Sequence, residues 1–388
     1  MNQKLEQFFA TCPRGLEALL AEELRTQGAQ QIAVTQGGVG FAGEFELCYR
    51  VNLHARLASR VLWRIGGGDY QDEEDVYQGA LSLDWPAFFS VDHTIMVKVT
   101  AQRAPLKSLE FVTLRIKDAV CDRFREMVGE RPSIDTRDPG VRIHAYLTAE
   151  TCTIYLDTSG QALFKRGLRK QAGLAPLNEN LAAGMVMLSG WQPGTPFFDP
   201  MCGSGTLLME AALMALHIAP GSGRNFGFER LYRFQEKIWQ DLRQAAQAAQ
   251  LPPTPQGIYG RDMFGSMLDD ARANVLAAGL GNVIELKQGN VLEIPAPARS
   301  GIIVTNPPYG VRIGEESELA EFYPRLGDWL KRQCAGWNAY ILSADMALPK
   351  LIRLNASRRT PLYNGALECR LFEYKIVAGS ARREKTES

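Results

Sequence analysis

The stretch Ile302-Ile303-Val304-Thr305-Asn306-Pro307-Pro308-Tyr309-Gly310 decides the fold. Its first half is short, apolar and β-branched, the make-up of a parallel strand buried on both faces. Two prolines follow, and neither can donate to a ladder or continue a helix. The strand therefore stops, and Asn306 and Tyr309 stand on a stiff loop at its carboxyl end. In open α/β sheets that end is where ligands sit. A proline-stopped strand with an aromatic packed on it would explain Asn-Pro alone, whereas the whole tetrad behind an apolar strand favours a site.

A second motif lies about a hundred residues upstream, at Thr195-Pro196-Phe197-Phe198-Asp199-Pro200-Met201-Cys202-Gly203-Ser204-Gly205-Thr206. It reads as a strand, a glycine turn and a helix over 207–216. Gly203 and Gly205 permit positive φ and close approach of backbone to a ligand. The helix start offers unpaired N–H groups to a carboxylate. Asp199 at the strand end suits an ammonium group. A dinucleotide fingerprint would need a third glycine, and that position is Leu208. Next, Gly257-Ile258-Tyr259-Gly260-Arg261-Asp262 is a strand ending in an acid, before a helix over 264–278. Asp262 there can accept ribose hydroxyls or cap the helix, and Met263 can lie against an adenine. A further strand over 283–286 leads to Gln288-Gly289-Asn290.

Asn306-Pro307-Pro308-Tyr309 resembles the tetrad of the S-adenosylmethionine-dependent methyltransferases that modify exocyclic amines of bases. Asp-Pro-Met-Cys-Gly-Ser-Gly-Thr resembles their first motif. The resemblance implies a donor site of Asp199, Met201, Cys202, Gly203, Gly205, Thr206, Asp262, Met263 and Asn290, with S-adenosyl-L-methionine as cofactor. That family usually carries Asp where Asn290 stands, so adenine contact survives the change and an ionic role does not. Asn306, Pro307, Pro308 and Tyr309 would be the catalytic group. The chemistry suits them, because a guanine N2 or adenine N6 amine is a poor nucleophile, its lone pair being delocalised into the ring. The Asn306 side-chain carbonyl and the Pro307 backbone carbonyl can accept its two N–H bonds and favour a pyramidal nitrogen. Tyr309 can stack on a flipped base.

Upstream, Phe8 to Cys12 reads as a strand, Leu16 to Gln27 as an amphipathic helix stopped by Gly28, and Ile32 to Phe41 as a strand pair. Phe45 to Ile65 reads as a second helix. This is a small ferredoxin-like pattern. Gly66-Gly67-Gly68 and the acids 72–75 mark a loop. A second α/β unit has strands over 94–100, 141–147 and 152–158 and a helix over 108–128, with Ile116, Ala119, Val120 and Phe124 inward. The Phe9-to-Glu17 stretch resembles the opening of bacterial 23S rRNA guanine-N2 methyltransferases, and the second unit resembles a THUMP RNA-binding domain. Lys165-Arg166-Gly167-Leu168-Arg169-Lys170 resembles the basic signature before their catalytic domain. An irregular segment at 219–234, rich in Gly, Arg and aromatics, suits either an RNA surface or loop packing.

The resemblance thus implies an α/β chain of the class I, Rossmann-like methyltransferase type, with a seven-stranded, mainly parallel sheet and an antiparallel end. Asn364-Gly365 signals that closing hairpin, and Arg370 to Val377 alternates like an edge strand. Residues 1–65 would be ferredoxin-like, 66–160 THUMP, 161–175 a basic linker, 176–380 the methyltransferase and 381–388 a charged tail. The implied activity is N2-methylation of guanine-2445 in 23S rRNA, on naked rRNA or a large-subunit assembly intermediate. An adenine N6 methyltransferase and a non-catalytic RNA-binding factor are the rivals. In some bacteria this unit is fused to a second methyltransferase, and here the chain ends soon after the first catalytic sheet.

Composition bounds the rest. A chain of 388 residues, 46% hydrophobic, can bury more than one core. Residues 1–97 carry a net −6, 98–170 a net +5 and the remainder +1. The basic middle block suits nucleic acid, with Arg115, Lys117, Arg123, Arg125, Lys165, Arg166 and Arg169 as candidate contacts, though solvated helix faces would look the same. Seven scattered cysteines, without C-x-x-C pairs or His at metal spacing, suggest free buried thiols in a reducing compartment and no metal site. No apolar run approaches a membrane span, so a cytoplasmic protein is expected.

Overall fold

The described residues build two seven-stranded sheets, each in its own unit. A computed structural model describes residues 5–167, 177–307 and 315–377, the side chains of 315–320 excepted. One unit comprises 1–12, 17–163 and 221–246, the other 13–16, 164–220 and 247–388.

The first unit contains β1 (Glu6–Thr11), α1 (Glu17–Thr26), β2 (Gln30–Thr35), β3 (Gly38–Gly43), α2 (Leu47–His54), β4 (Arg60–Asp69), α3 (Glu73–Leu81), β5 (Ile95–Ala101), α4 (Leu109–Val128), β6 (Val141–Leu147) and β7 (Thr151–Asp157). Its strand order is β2-β3-β1-β4-β7-β6-β5. The ferredoxin-like and THUMP-like halves share one sheet because β4 pairs with β1 on one side and β7 on the other. Two sequence expectations fail here. The expected second helix over 45–65 is α2 followed by β4, since Val61 to Ile65 is a β-branched, aromatic run that packs as strand. Gly66 to Gly68 continue that strand across an irregularity in register instead of forming a loop. Gly67 is needed there: at φ 143° a Cβ would lie 2.4 Å from the Cys152 carbonyl oxygen. The boundary expected at 65/66 consequently falls inside β4.

The helices end where their capping groups say. Ser108 accepts from the Phe111 N–H at the start of α4, and Gly129 closes it at φ 84°. Asp72 accepts from the Glu74 and Asp75 N–H groups at the start of α3. Ile116, Ala119, Val120 and Phe124 are buried as the stripe predicts. The segment after residue 220 also belongs to this unit. Phe226 and Phe228 are buried, Phe228 lies 4.4 Å from the Tyr49 ring, and Phe226 stacks on Phe228 at 5.3 Å. Phe226 and Phe228 therefore pack a core, while Tyr232 of the same segment is 62% exposed.

The second unit contains α5 (Glu179–Leu188), β8 (Phe197–Asp199) and α6 (Thr206–Ala215); after the excursion into the first unit and α7 (Glu236–Ala248), it resumes with β9 (Ile258–Asp262) and α8 (Gly265–Ala277). Then come β10 (Ile284–Gln288), β11 (Gly301–Thr305), α9 (Glu315–Gln333), β12 (Trp337–Ser343), α10 (Leu348–Leu351), β13 (Arg358–Asn364) and β14 (Leu367–Lys375). The order is β10-β9-β8-β11-β12-β14-β13, parallel from β10 to β12 and antiparallel beyond. The final strand is not the edge, as its alternation suggests; β14 lies inside and β13 is the edge. Phe198, Ile303, Trp329, Trp337 and Phe372 anchor one buried cluster of this sheet. The missing third glycine of the turn has a counterpart in β9. A Cβ on Gly260 would lie 2.3 Å from Leu208 and 2.6 Å from Leu286, so the glycine sits on the strand and lets α6 lie close.

Candidate active site at the carboxyl edge of the second sheet

Because β9, β8 and β11 are parallel neighbours, their carboxyl ends share one rim. The glycine turn and Asn306 therefore lie at the same edge. Side chains tie the three ends together. Thr305 Oγ1 donates to Asp199 Oδ1 at 2.8 Å, which joins β11 to β8. Asp262 Oδ2 accepts from the Gly203 N–H at 2.9 Å, which joins β9 to the turn. Asp262 Oδ1 accepts from the Phe264 N–H at 3.0 Å. Asp262 thus locks the turn and begins the approach to α8, and the remaining lone pairs of its oxygens can still accept hydroxyls.

The turn is shaped for a ligand. Gly203 has φ 51° and Gly205, at the start of α6, has φ 85°. Among the described residues a Cβ on Gly203 would meet nothing within 4 Å, so they leave the space beside it open. Asp199 is buried, and burial, followed by the nearby Asp262 charge, pushes its carboxyl up to about 7 against the bonds from Thr305 and Met201. Such a group accepts a cation readily, because a neighbouring positive charge restores the ionised form. Cys202 is buried, and burial with the two aspartates raises its thiol well above its ordinary value. It is a packing thiol here. All seven cysteines are free and buried.

Other expected donor contacts have mixed fates. Met201 is half-buried, and Thr206 is buried at the first position of α6. Met263 is 54% exposed, and beside it Phe264 is 60% exposed, two apolar side chains standing free next to Asp262. Asn290 turns inward on its own loop: Oδ1 accepts from the Leu292 N–H at 3.1 Å and Nδ2 donates to Glu293. Phe264 and the Thr305 clamp carry no motif signal; exposure reveals one and the β8–β11 register the other.

At the other half of the rim, Asn306 Oδ1 is buried and makes no hydrogen bond among the described residues. A buried acceptor left unpaired costs about 1–3 kcal/mol, which a ligand N–H aimed at it would recover. Pro307 is buried beside it. Pro308 and Tyr309 lie outside the described residues, as does Arg169.

The candidate RNA contacts are largely committed elsewhere. Arg115 pairs with Glu74 and lies 4.0 Å over the Tyr77 ring, Lys117 pairs with Asp118, Arg123 with Glu126 and Arg125 with Asp122. Arg166, expected at the RNA surface, is buried, with Nε 3.2 Å from Glu210 on α6. Lys165 is exposed. No helix among the described residues is long and apolar enough to cross a membrane.

Comparison with known proteins gives the family. The family model described as an RMKL-like methyltransferase domain matches residues 166–373, a THUMP domain matches 70–157, and an RlmL ferredoxin-like domain matches 7–62. The chain belongs to this RMKL-like methyltransferase family, with the ferredoxin-like, THUMP and class I methyltransferase parts that the sequence implies. It is 41% identical to a ribosomal RNA large subunit methyltransferase K/L of Shewanella sp. (strain W3-18-1), over 97% of this chain and 54% of the relative. The chain spans about half the length of such K/L relatives. It is 37% identical to slr0064 of Synechocystis sp., provisionally named an RNA methyltransferase, over 95% of this chain and 96% of that one. Among solved structures, SMU.472, provisionally a methyltransferase, was crystallised with SAH, the demethylated donor. It superposes with TM-score 0.87 at 29% identity, covering 98% of this chain and 100% of its own.

Proposed function

We propose that the chain transfers a methyl group from S-adenosyl-L-methionine to the exocyclic N2 of a guanine in 23S rRNA, the resemblance pointing to guanine-2445. The donor, when bound, supplies an electrophilic methyl group on a sulfonium. Asp199 holds the donor's ammonium, the glycine turn and α6 amino end receive its carboxylate, and Asp262 accepts its ribose hydroxyls. Met263 and Phe264 offer apolar surface to its adenine.

The observation that carries the reading is the orphaned, buried Asn306 Oδ1 at the rim shared with the glycine turn. Asn306 Oδ1 and the Pro307 carbonyl accept the two N–H bonds of the target amine. They thereby favour a pyramidal nitrogen whose lone pair is available. No strong base is required, because the proton leaves after the methyl has arrived. Tyr309 stacks on the everted base.

Incubation of the full chain with labelled donor and either naked 23S rRNA or large-subunit precursors, followed by mass mapping of the modified nucleotide, tests this. N2-methylguanine at one position is expected. Label on adenine N6, or donor binding without transfer to either substrate, overturns it.

A further inference from the structure

With the α4 cations held by acids, the sheet of the first unit supplies a different surface. In its β4-β7-β6-β5 half, Ile95, Ile143, Ala145, Leu147, Ile154 and Leu156 are buried, on the side that α4 and α3 cover. Strand residues of the other parity point away from those helices. Register sets Lys98 beside His144, His144 beside Tyr155 and Tyr155 beside Arg64, one row across four strands. The next row runs Thr100, Tyr146, Thr153 and Gly67.

This face is open and equipped. Lys98, Arg64 and Thr100 are exposed, Tyr146 is 37% exposed and Tyr155 is half-buried, while the His144 side chain is 12% exposed, its Nε2 3.6 Å from Asp157. Among the described residues no ion pair ties Lys98 or Arg64 to an acid. Tyr146 and Tyr155 are diagonal cross-strand neighbours, about 7 Å apart by sheet geometry. The Tyr146 hydroxyl donates to Gln102 at 2.8 Å, which fixes the ring. Gln102 and Arg103 then line a cavity of about 330 Å³ with Thr148, Ala149 and Glu150. Of the acids near this face, Asp157 is buried and bound to Arg60, Asp69 stands at the end of β4 opposite Thr151, and Glu150 lies in the cavity.

The geometry points to this open sheet face as a binding surface for single-stranded RNA, with Tyr146 and Tyr155 as the stacking platform and Lys98 and Arg64 contacting phosphates on either side. Bases must be unstacked to lie on rings carried by a sheet, so a single strand fits and a duplex does not. The inference rests on RNA being the substrate class, as proposed above.

Fluorescence anisotropy of the full chain with a short, end-labelled single-stranded RNA over a salt series tests it. Lys98→Gln with Arg64→Gln should weaken binding about tenfold and reduce the log–log salt slope by about 1.4, since each phosphate contact to a single strand contributes about 0.7. Tyr146→Ala should weaken binding about tenfold and Tyr146→Phe under about twofold, because the ring does the stacking. Arg123→Gln with Arg125→Gln should change little, and every variant should keep wild-type affinity for S-adenosyl-L-methionine. If wild type binds RNA and the Lys98/Arg64 pair binds equally well, the surface is wrong and the substrate reading stands. Equal loss in Tyr146→Phe and Tyr146→Ala, or duplex RNA binding as tightly as single-stranded, also removes it. If wild type binds donor but no RNA, the substrate reading falls, and this surface with it.

Discussion

The two sheets put their chemistry in different places. In the second, parallel strands bring Asp199, Asp262 and Asn306 to one rim, three strand-end positions of which the outermost two are 107 residues apart in the chain. In the first, polar groups are spread over an open face, two rows deep across four strands. A rim concentrates charge, buries it and shifts its ionisation; a face leaves cations solvated and works by area. The comparison teaches that ligand chemistry can be sought from short motifs in one unit and only from register in the other.

Asp199 should break that contrast most visibly if it is wrong. Its carboxyl rises from 3.8 to about 7 on folding. The folded chain then holds more protons than the unfolded one between those values, so stability falls as pH rises through about 4 to 7, by on the order of 4 kcal/mol in all. Asp199→Asn should remove this slope, because both bonds from Thr305 and Met201 go to Oδ1 and an amide oxygen can keep them. The same variant should bind S-adenosyl-L-methionine about 10- to 100-fold more weakly. Wild-type donor affinity should fall up to about tenfold per pH unit below 7, since the ammonium needs the ionised carboxyl. Urea titrations and calorimetry across pH check both; a wild-type curve as flat as that of Asp199→Asn removes Asp199 as the rim's buried charge.

Asn306→Ala comes next. Methyl transfer should drop on the order of a hundredfold or more while donor affinity stays within about twofold, since the proposed role of the side chain is to hold the amine rather than the donor. Equal loss of both would place Asn306 with the donor instead.

These particulars explain how much was legible beforehand. The rim could be read because proline, glycine and acid punctuate strand ends, and each does so for a backbone reason. The helix stripe on α4 and the closing hairpin were legible for the same reason. Strand β4 was not, since Val61 to Ile65 follows a helical pattern without a Gly or Pro to separate them. Pairing with β1 and β7 decides its state, a tertiary effect no local propensity contains. Arg166 and the α4 cations are a different case. Charge is visible in sequence, whereas a partner such as Glu210, 44 residues away, is not. The inward turn of Asn290 toward Glu293 likewise depends on one loop's rotamer.

Gly260→Ala sharpens the comparison on the packing side. Its added Cβ would crowd Leu208 and Leu286, costing about 1–3 kcal/mol of stability. Leu208→Ala should cost less Tm in that chain than with Gly260 in place, because the added methyl takes up part of the space that the leucine leaves. Additive losses would mean that α6 does not rest on this glycine, and that Leu208 is no counterpart to the absent third glycine.

The smallest effect belongs to the first unit. Arg125→Gln breaks a solvent-exposed pair with Asp122, 2.8 Å apart and three residues away on one helix. Such pairs are worth about 0.3–0.5 kcal/mol, and salt screens them. A Tm shift near the limit of detection in low salt, vanishing in high salt, is expected, with methyl transfer to rRNA unchanged. A large loss of transfer at constant stability would instead make the α4 helix the RNA contact. The open sheet face would then lose its claim, because the acid beside Arg125 would be a partner that RNA displaces rather than one that keeps the arginine occupied.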